Sequence, residues 1–245
     1  MADHPRTILL YIALVLFMYY PVNTSGGWVP YSSALPSGAR CYVKIQSLHP
    51  TQFAVGYREI DRRTEKVIEK DDKKLLVYMK HHAAKIVVGP NGEPYIIDSH
   101  HMVCVIERTG KSKTIYAVVE ANLSNLPVDS FWNEMVKRKW VYLYDENGNG
   151  PLDPKLLPRT IKDLKDDPFR SLAWEVRERG GFKKTDDPFA EFLWADFFRK
   201  KIPVNGANEN MNQLINEAIK LCHNESASKL PGYSKVDLIP LEMEQ

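Results

Sequence analysis

The 245-residue sequence predicts an α+β fold of mixed α/β character: a small sheet-and-helix core, then a mostly helical C-terminal half. Three observations carry this. The runs that read as strands, rich in β-branched and aromatic residues, all lie before Pro127. The turn-forming segment Gly89-Pro90-Asn91-Gly92-Glu93-Pro94 separates two of those runs at hairpin distance. Beyond Pro127, apolar residues recur at helical spacing, and three of the helical segments start at or near a proline.

In chain order, the first segment is apolar. Arg6 precedes an unbroken apolar run from Ile8 to Tyr20. A membrane span needs about 20 residues, so residues 1–26 read as a signal peptide, with an N-terminal apolar anchor as the alternative. No transmembrane span is expected in the mature chain, which is read as secreted. Asn23, Asn122 and Asn224 each head an N-glycosylation triplet, in keeping with export and a glycoprotein. The three cysteines, Cys41, Cys104 and Cys222, leave at least one thiol without an intrachain partner. In an oxidising compartment a Cys41–Cys222 bridge would tie the chain ends together. Three buried thiols acting as small hydrophobes are the alternative.

Residues 27–40 are rich in Pro, Ser and Gly and read as a linker. Residues 41–126 form the core. "CYVKIQSL" alternates like a strand; the chain turns at Pro50 and enters a charged helical stretch; residues 71–83 continue in helical style with Leu75, Leu76 and Met79. "KIVV" and "YIID" are the two arms of the hairpin. Ser99 fits the N-cap of the helix "HHMVCVIERTG", whose hydroxyl would bond a free amide, and Gly110 closes it. "KTIYAVVEANLS" is a further strand. Residues 127–233 are a helical extension packed on the core, with "VDSFWNEMVKRK", "PRTIKDLKDD", "PFRSLAWEVRERGG", "PFAEFLWADFFRKK" and "NENMNQLINEAIKLCHN" as helical segments. Asp166-Asp167 and Asp186-Asp187 offer capping carboxylates, and residues 234–245 are a tail.

A formal charge of +2 lacks the strongly basic footprint of a dedicated DNA reader, though a local basic patch stays open. No P-loop, GxGxxG or GxSxG motif is present. "DENGNG" at 145–150 begins like a calcium loop but has Leu156 where the bidentate Glu belongs, so it reads as a tight turn. The strongest chemical candidate is "YIIDSHHMV", where a strand ends and a helix begins. Amides at a helix start lack partners and favour anions. A phosphate there would meet Ser99, with His100 and His101 within reach and one of them acting as acid or base. Asp98 would orient a histidine or hold a metal ion. A polar loop with capping histidines is the other reading of the same residues. A second pair, His81-His82, sits on a helix with Lys80 and Lys85 nearby, but adjacent histidines point about 100° apart. Neither pair has the spacing with which one helix chelates a metal, so no metal ligands are assigned. Arg58, beside Glu59, offers a guanidinium fork that suits phosphate.

The segments "SLHPTQFAVGYREID", "VVGPNGEPYIIDSHHMV", "DSFWNEMVKRKWVYLYDENG", "DDPFRSLAWEVRERGGF" and "PFAEFLWADFFRKKI", in this order, resemble the ParB-like nuclease family of the ParB/sulfiredoxin-fold superfamily. The resemblance implies a compact ParB/sulfiredoxin-like α/β core at 41–126, whose hallmark loop binds nucleotide phosphates at a helix start. It carries Asp98, His100 and His101 onto that loop. Ser99 stands where Gly is usual and Met102 where Arg is usual, so Arg58 or Lys80 would have to supply the missing charge. Sulfiredoxin's cysteine before the loop histidine is replaced by Ser99, which speaks against sulfinic-acid repair.

The expected function is phosphate-directed catalysis: a nuclease or phosphodiesterase, or nucleotide-dependent phosphoryl transfer. His100, Asp98 and His101 would be catalytic, and Ser99, Arg58, Lys80 and Glu59 would bind substrate. Mg²⁺ is the cofactor to test, and the partner is a phosphate-containing small molecule or nucleic acid. The alternative is a non-catalytic secreted binding module on the same fold.

Overall fold

A computed structural model describes residues 27–202 and 211–235. The signal-peptide segment, the Asn23 triplet and most of the tail lie outside the described residues. The elements are β1 (Val29–Pro30), β2 (Arg40–Lys44), β3 (His49–Pro50), β4 (Ala54–Val55), α1 (Tyr57–Ile68), α2 (Asp72–His81), β5 (Ala84–Val88), β6 (Pro94–Asp98), α3 (His100–Thr109), β7 (Thr114–Asn122), α4 (Val128–Lys137), β8 (Lys165–Asp166), α5 (Pro168–Glu178), α6 (Ala190–Lys201) and α7 (Met211–Cys222). This is the mixed α/β architecture expected, with a largely helical C-terminal region.

A six-stranded mixed sheet runs in the order β1-β2-β7-β5-β6-β3. The predicted hairpin is β5 against β6, with Ile86 opposite Ile96 and Val88 opposite Pro94. Its connection uses left-handed residues at Asn91 and Gly92. β7 alternates strictly, burying Ile115, Ala117, Val119 and Ala121, whereas Ile86, Val87 and Val88 of β5 are all buried. A continuous apolar strand is one covered on both faces. On one face lie α1, α2 and α3, whose Ile60, Leu75, Val103 and Ile106 join the main core. On the other lies α4, whose Phe131 and Met135 pack with Val87 and Ala121. A separate cluster built on Leu172, Trp194, Phe198 and Ile215 holds α5, α6 and α7 together.

The two layers are joined where β4 pairs with β8 in parallel. This brings the start of α5 against the start of α1. Gly56 permits the approach: a Cβ there would lie 2.7 Å from Ser171 Oγ and 2.9 Å from its backbone nitrogen.

Several expectations are corrected. The linker at 27–40 is part of the fold: β1 pairs with β2, Leu35 is buried, and Trp28 meets Tyr116 edge-on at 4.7 Å. "PRTIKDLKDD" is not a helix; Thr160 and Asp163 close one 3-10 turn, and the chain then enters β8. Asp167 caps α5 as expected, but Asp186 and Asp187 cap nothing at the start of α6. The Cys41–Cys222 bridge is absent, because the two thiols are buried in different cores. Asn122, the head of one triplet, is tied into the 27–40 segment, its Nδ2 donating to the carbonyls of Ser33 and Leu35 at 2.9 Å. Among the described residues, no helix is long and apolar enough to cross a membrane.

Candidate functional site

β6 ends at Asp98 and α3 starts at His100, so the chain must reverse its course at one residue. Ser99 does this with φ 69° and ψ 26°. The left-handed region costs a non-glycine residue about 1–2 kcal/mol, which accounts for glycine suiting this position. In that conformation the Ser99 hydroxyl makes no capping bond, contrary to expectation. The Asp98 carboxylate instead accepts the Ser99 N–H at 2.6 Å. The next amides, of His100, His101 and Met102, belong to the first turn of α3. They have no intrahelical acceptor, and no side chain caps the helix from the Ser99 position.

These residues line a cleft of about 730 Å³. Its floor and one wall are Lys85, Asp98 to Met102 and Glu120; the facing walls come from Lys139 and Trp140, from Arg170 and Arg177 of α5, and from the stretch Lys184 to Phe192. Lysines and arginines number six among the lining residues (Arg63, Lys85, Lys139, Arg170, Arg177, Lys184), and carboxylates also six (Glu59, Asp98, Glu120, Asp186, Asp187, Glu191). The cleft is thus strongly polar without net charge. Of the four non-glycine residues with positive φ among the described residues, three line it: Ser99, Lys139 and Phe189. Such strain concentrates at functional sites.

The two histidines turn back into the protein. His100 is buried, and its Nε2 accepts the Thr51 N–H at 3.3 Å; His101 Nε2 accepts the Gly56 N–H at 3.0 Å. A ring nitrogen that accepts carries no proton, so both rings are neutral with the proton on Nδ1. Burial pulls the His100 pKa down to about 3. Burial, then the positive fields of Arg170 and Arg63, holds His101 well below the ordinary histidine value. The approach of His101 Nε2 to Glu59 Oε2 at 3.4 Å is therefore not an ion pair. At neutral pH neither ring is a poised acid or base through Nε2. Through Nε2 they clasp the 51–56 segment to the start of α3.

Glu59 is buried in the cleft wall as a counterion, bonded to Arg63 at 2.7 Å and Arg170 at 3.1 Å. Arg170 is 7% exposed and its Nε has no partner. Its guanidinium lies over the Phe192 ring at 5.4 Å. Arg58 is directed elsewhere: its Nε donates to Glu175 at 2.8 Å. Lys80 lies over the Tyr116 ring at 5.3 Å. Neither lines the cleft. The expected site therefore divides. Asp98, Ser99, His100, His101 and Glu59 come together; Arg58 and Lys80 do not. His81 and His82 are exposed, and His82 bonds its own helix at Tyr78.

Sequence reasoning missed Arg63, Lys139, Trp140, Arg170, Arg177, Lys184 and Phe189. Arg63 had a local signal, one turn after Glu59. The others lie too far along the chain for local spacing to join them to the α3 start. Among the described residues, no three His, Cys, Asp or Glu side chains converge as a metal cluster. The "DENGNG" segment is the turn expected, with Asp145 Oδ1 accepting the amides of Asn147 and Asn149 at 2.9 and 2.8 Å.

Residues 41–200 match the family described as "Putative ParB-like nuclease". The crystal structure of protein Atu1540 from Agrobacterium tumefaciens is similar, at 35% sequence identity and a TM-score of 0.73, over 80% of this chain and 96% of that one. No protein of curated function matches. A match of this extent, together with a structural relative covered almost end to end, means that the chain belongs to the ParB-like nuclease family.

Proposed function

We propose that the protein is a phosphate-directed enzyme that hydrolyses phosphodiester bonds of nucleic acid. One phosphate sits on the amides of His100, His101 and Met102, and Arg170 neutralises it from the facing wall. The observation that carries this is the uncapped start of α3 opening onto a cleft that also holds a buried arginine with an unpartnered Nε. Backbone amides and a fixed guanidinium are the preorganised donors that phosphoryl chemistry exploits. Asp98 is the exposed carboxylate beside the amides. Its role is to orient the attacking water or to hold Mg²⁺, an ion that usually takes one or two protein carboxylates together with substrate phosphate. The family's name supports nucleic acid as the substrate class. The apolar run Ile8 to Tyr20 supports export, which would give the enzyme extracellular nucleic acid to act on.

The test pairs binding with turnover. Pyrophosphate and a nucleotide panel should raise the melting temperature by mass action. Labelled DNA and RNA should be cut with Mg²⁺ present, and Asp98→Asn should abolish cutting while leaving the pyrophosphate shift. No shift with any phosphate compound and no cutting would end this reading.

One observation favours a second reading. The histidines of this loop are neutral and held through Nε2, and Met102, where the family resemblance implies Arg, is buried at 3% exposure. A module that binds phosphate without turning it over would look like this. Thermal shifts with no cutting under any metal would select it.

A further inference from the structure

A sheet face that meets water carries polar residues, and one that meets a partner carries something else. Toward α1 and α3, β2 and β7 bury Cys41, Val43, Ile115, Ala117 and Val119. On the opposite face α4 packs over Val87, Ala121 and Tyr95, at the β5–β6 half. The other half of that face, made by β1, β2 and β7, leaves Arg40, Tyr42 and Lys44 exposed and Trp28 and Tyr116 half-buried. Tyr42 stands opposite Tyr116, Arg40 opposite Val118 and Lys44 opposite Thr114. Trp28 meets Tyr116 edge-on, Arg40 lies over the Trp28 ring at 5.8 Å, and Lys80 of α2 lies over the Tyr116 ring. Rings and cations thus share one surface. Arg40, Lys44 and Lys80 are exposed and make no ion pair among the described residues, whereas Glu120, farther along β7, is paired with Lys85.

The occupant follows from this chemistry and from the chain that leads to it. Tryptophan and tyrosine, with an apolar body and a polar edge, settle at the boundary of a bilayer. Lysine and arginine beside them meet anionic headgroups. The apolar run Ile8 to Tyr20 ends eight residues before Trp28, so even a fully extended link reaches no more than about 28 Å. A run held by a membrane therefore keeps this side of the molecule next to it. The run is shorter than a span, which takes about 20 residues. A single weak anchor needs a second contact, such as a basic patch, to hold a protein stably. We infer that the β1–β2–β7 face docks on a bilayer containing anionic lipid, with Trp28, Tyr42 and Tyr116 at headgroup level and Arg40, Lys44 and Lys80 against the headgroup anions. This docking does not depend on what the cleft binds.

The experiment uses the full chain and vesicles whose headgroups carry a collisional quencher. The three native thiols are buried, so a fluorophore attached through Pro30→Cys or Glu65→Cys reports a single position. Pro30 is exposed on this face opposite Tyr42, and Glu65 is exposed on α1, across the sheet. With vesicles of phosphatidylcholine and phosphatidylserine, the fluorophore at position 30 should be quenched and the one at position 65 should not. Each cation biases the docked state by roughly fivefold, so Arg40→Glu with Lys44→Glu should bring quenching at position 30 down to the position 65 level. Vesicles of phosphatidylcholine alone should do the same. If Pro30→Cys lowers the melting temperature, Thr114→Cys, opposite Lys44, takes its place. Vesicle-bound chain with both positions unquenched or equally quenched overturns the inference, the apolar run then being a tether only. Quenching at position 30 that ignores both the charge reversal and the lipid charge overturns it too. So does a chain recovered free of vesicles, or a fluorophore at position 30 that responds to a single-stranded oligonucleotide and not to vesicles.

Discussion

The tetrapeptide Asp-Asp-Pro-Phe occurs twice, at 166–169 and at 186–189, and the two copies behave differently. In the first, Asp167 is 1% exposed and accepts the amides of Phe169 and Arg170 at 2.9 and 3.1 Å, with Pro168 opening α5. Its other oxygen takes Arg199 at 2.7 Å. In the second, Asp186 and Asp187 are exposed, no carboxylate caps α6, and Phe189 enters the helix at positive φ. The difference begins one residue earlier. Asp166 pairs with Val55 in β8, which sets the first copy's entry angle. The second copy has no strand before it and lies along the cleft. Local propensity offers the same helix start twice; tertiary pairing accepts it once, and where it is declined the segment forms a wall of the cleft.

The contrast can be tested by substitution. Asp167→Ala removes a cap and a buried ion pair and should cost about 2 kcal/mol, whereas Asp187→Ala should change stability by less than about 0.5 kcal/mol. Equal losses in denaturant unfolding would erase the distinction.

Acid sharpens it. Burial raises the Asp167 pKa against the opposing field of Arg199, so the folded state takes up that proton first and this group's contribution grows as pH falls. His100 has the opposite sign. Its folded pKa of about 3 lies below the ordinary 6.5, so stability is complete above 6.5 and is lost as pH falls toward 3. The slope is at most about 1.4 kcal/mol per pH unit for each such histidine. His100→Gln keeps an acceptor for the Thr51 amide and should flatten the acid limb of the stability curve; an unchanged slope would place the sensitivity elsewhere.

Smaller effects follow. Ser99→Gly should stabilise by about 1 kcal/mol, because it relieves a left-handed residue, and the pyrophosphate shift should persist. A loss of stability would mean that Ser99 does more than turn the chain. Lys80→Ala should cost no more than about 0.5 kcal/mol, the scale of an exposed cation–π contact, with phosphate binding unaltered.

Much of the fold is legible from local chemistry. The hairpin follows from Pro90, Asn91 and Gly92, and α3 from its apolar face and Gly110 at φ 66°. Failures occur where a distant partner decides. Ile161 and Leu164 have helical spacing, yet both drop into the main core and free Lys165 and Asp166 for pairing with β4. Trp28 and Leu35 anchor a segment whose prolines and serines read as linker. At the candidate site, the start of α3 is legible because Asp98 to Met102 are consecutive. Arg58 stays out of the cleft for a physical reason: it and Arg62 both meet Glu175, a buried carboxylate more than a hundred residues away. Arg170 faces the cleft because the β4–β8 pairing carries α5 there.

The three thiols sit apart, each sealed in packing, with burial pushing Cys41 up to about 11 and Cys104 and Cys222 up to about 12. Almost no thiolate exists at physiological pH to attack a disulfide or an oxidant. The fold is therefore indifferent to redox potential. Once folded, the protein has no disulfide to lose among these thiols, and thiol reagents should neither weaken it nor label it until it unfolds.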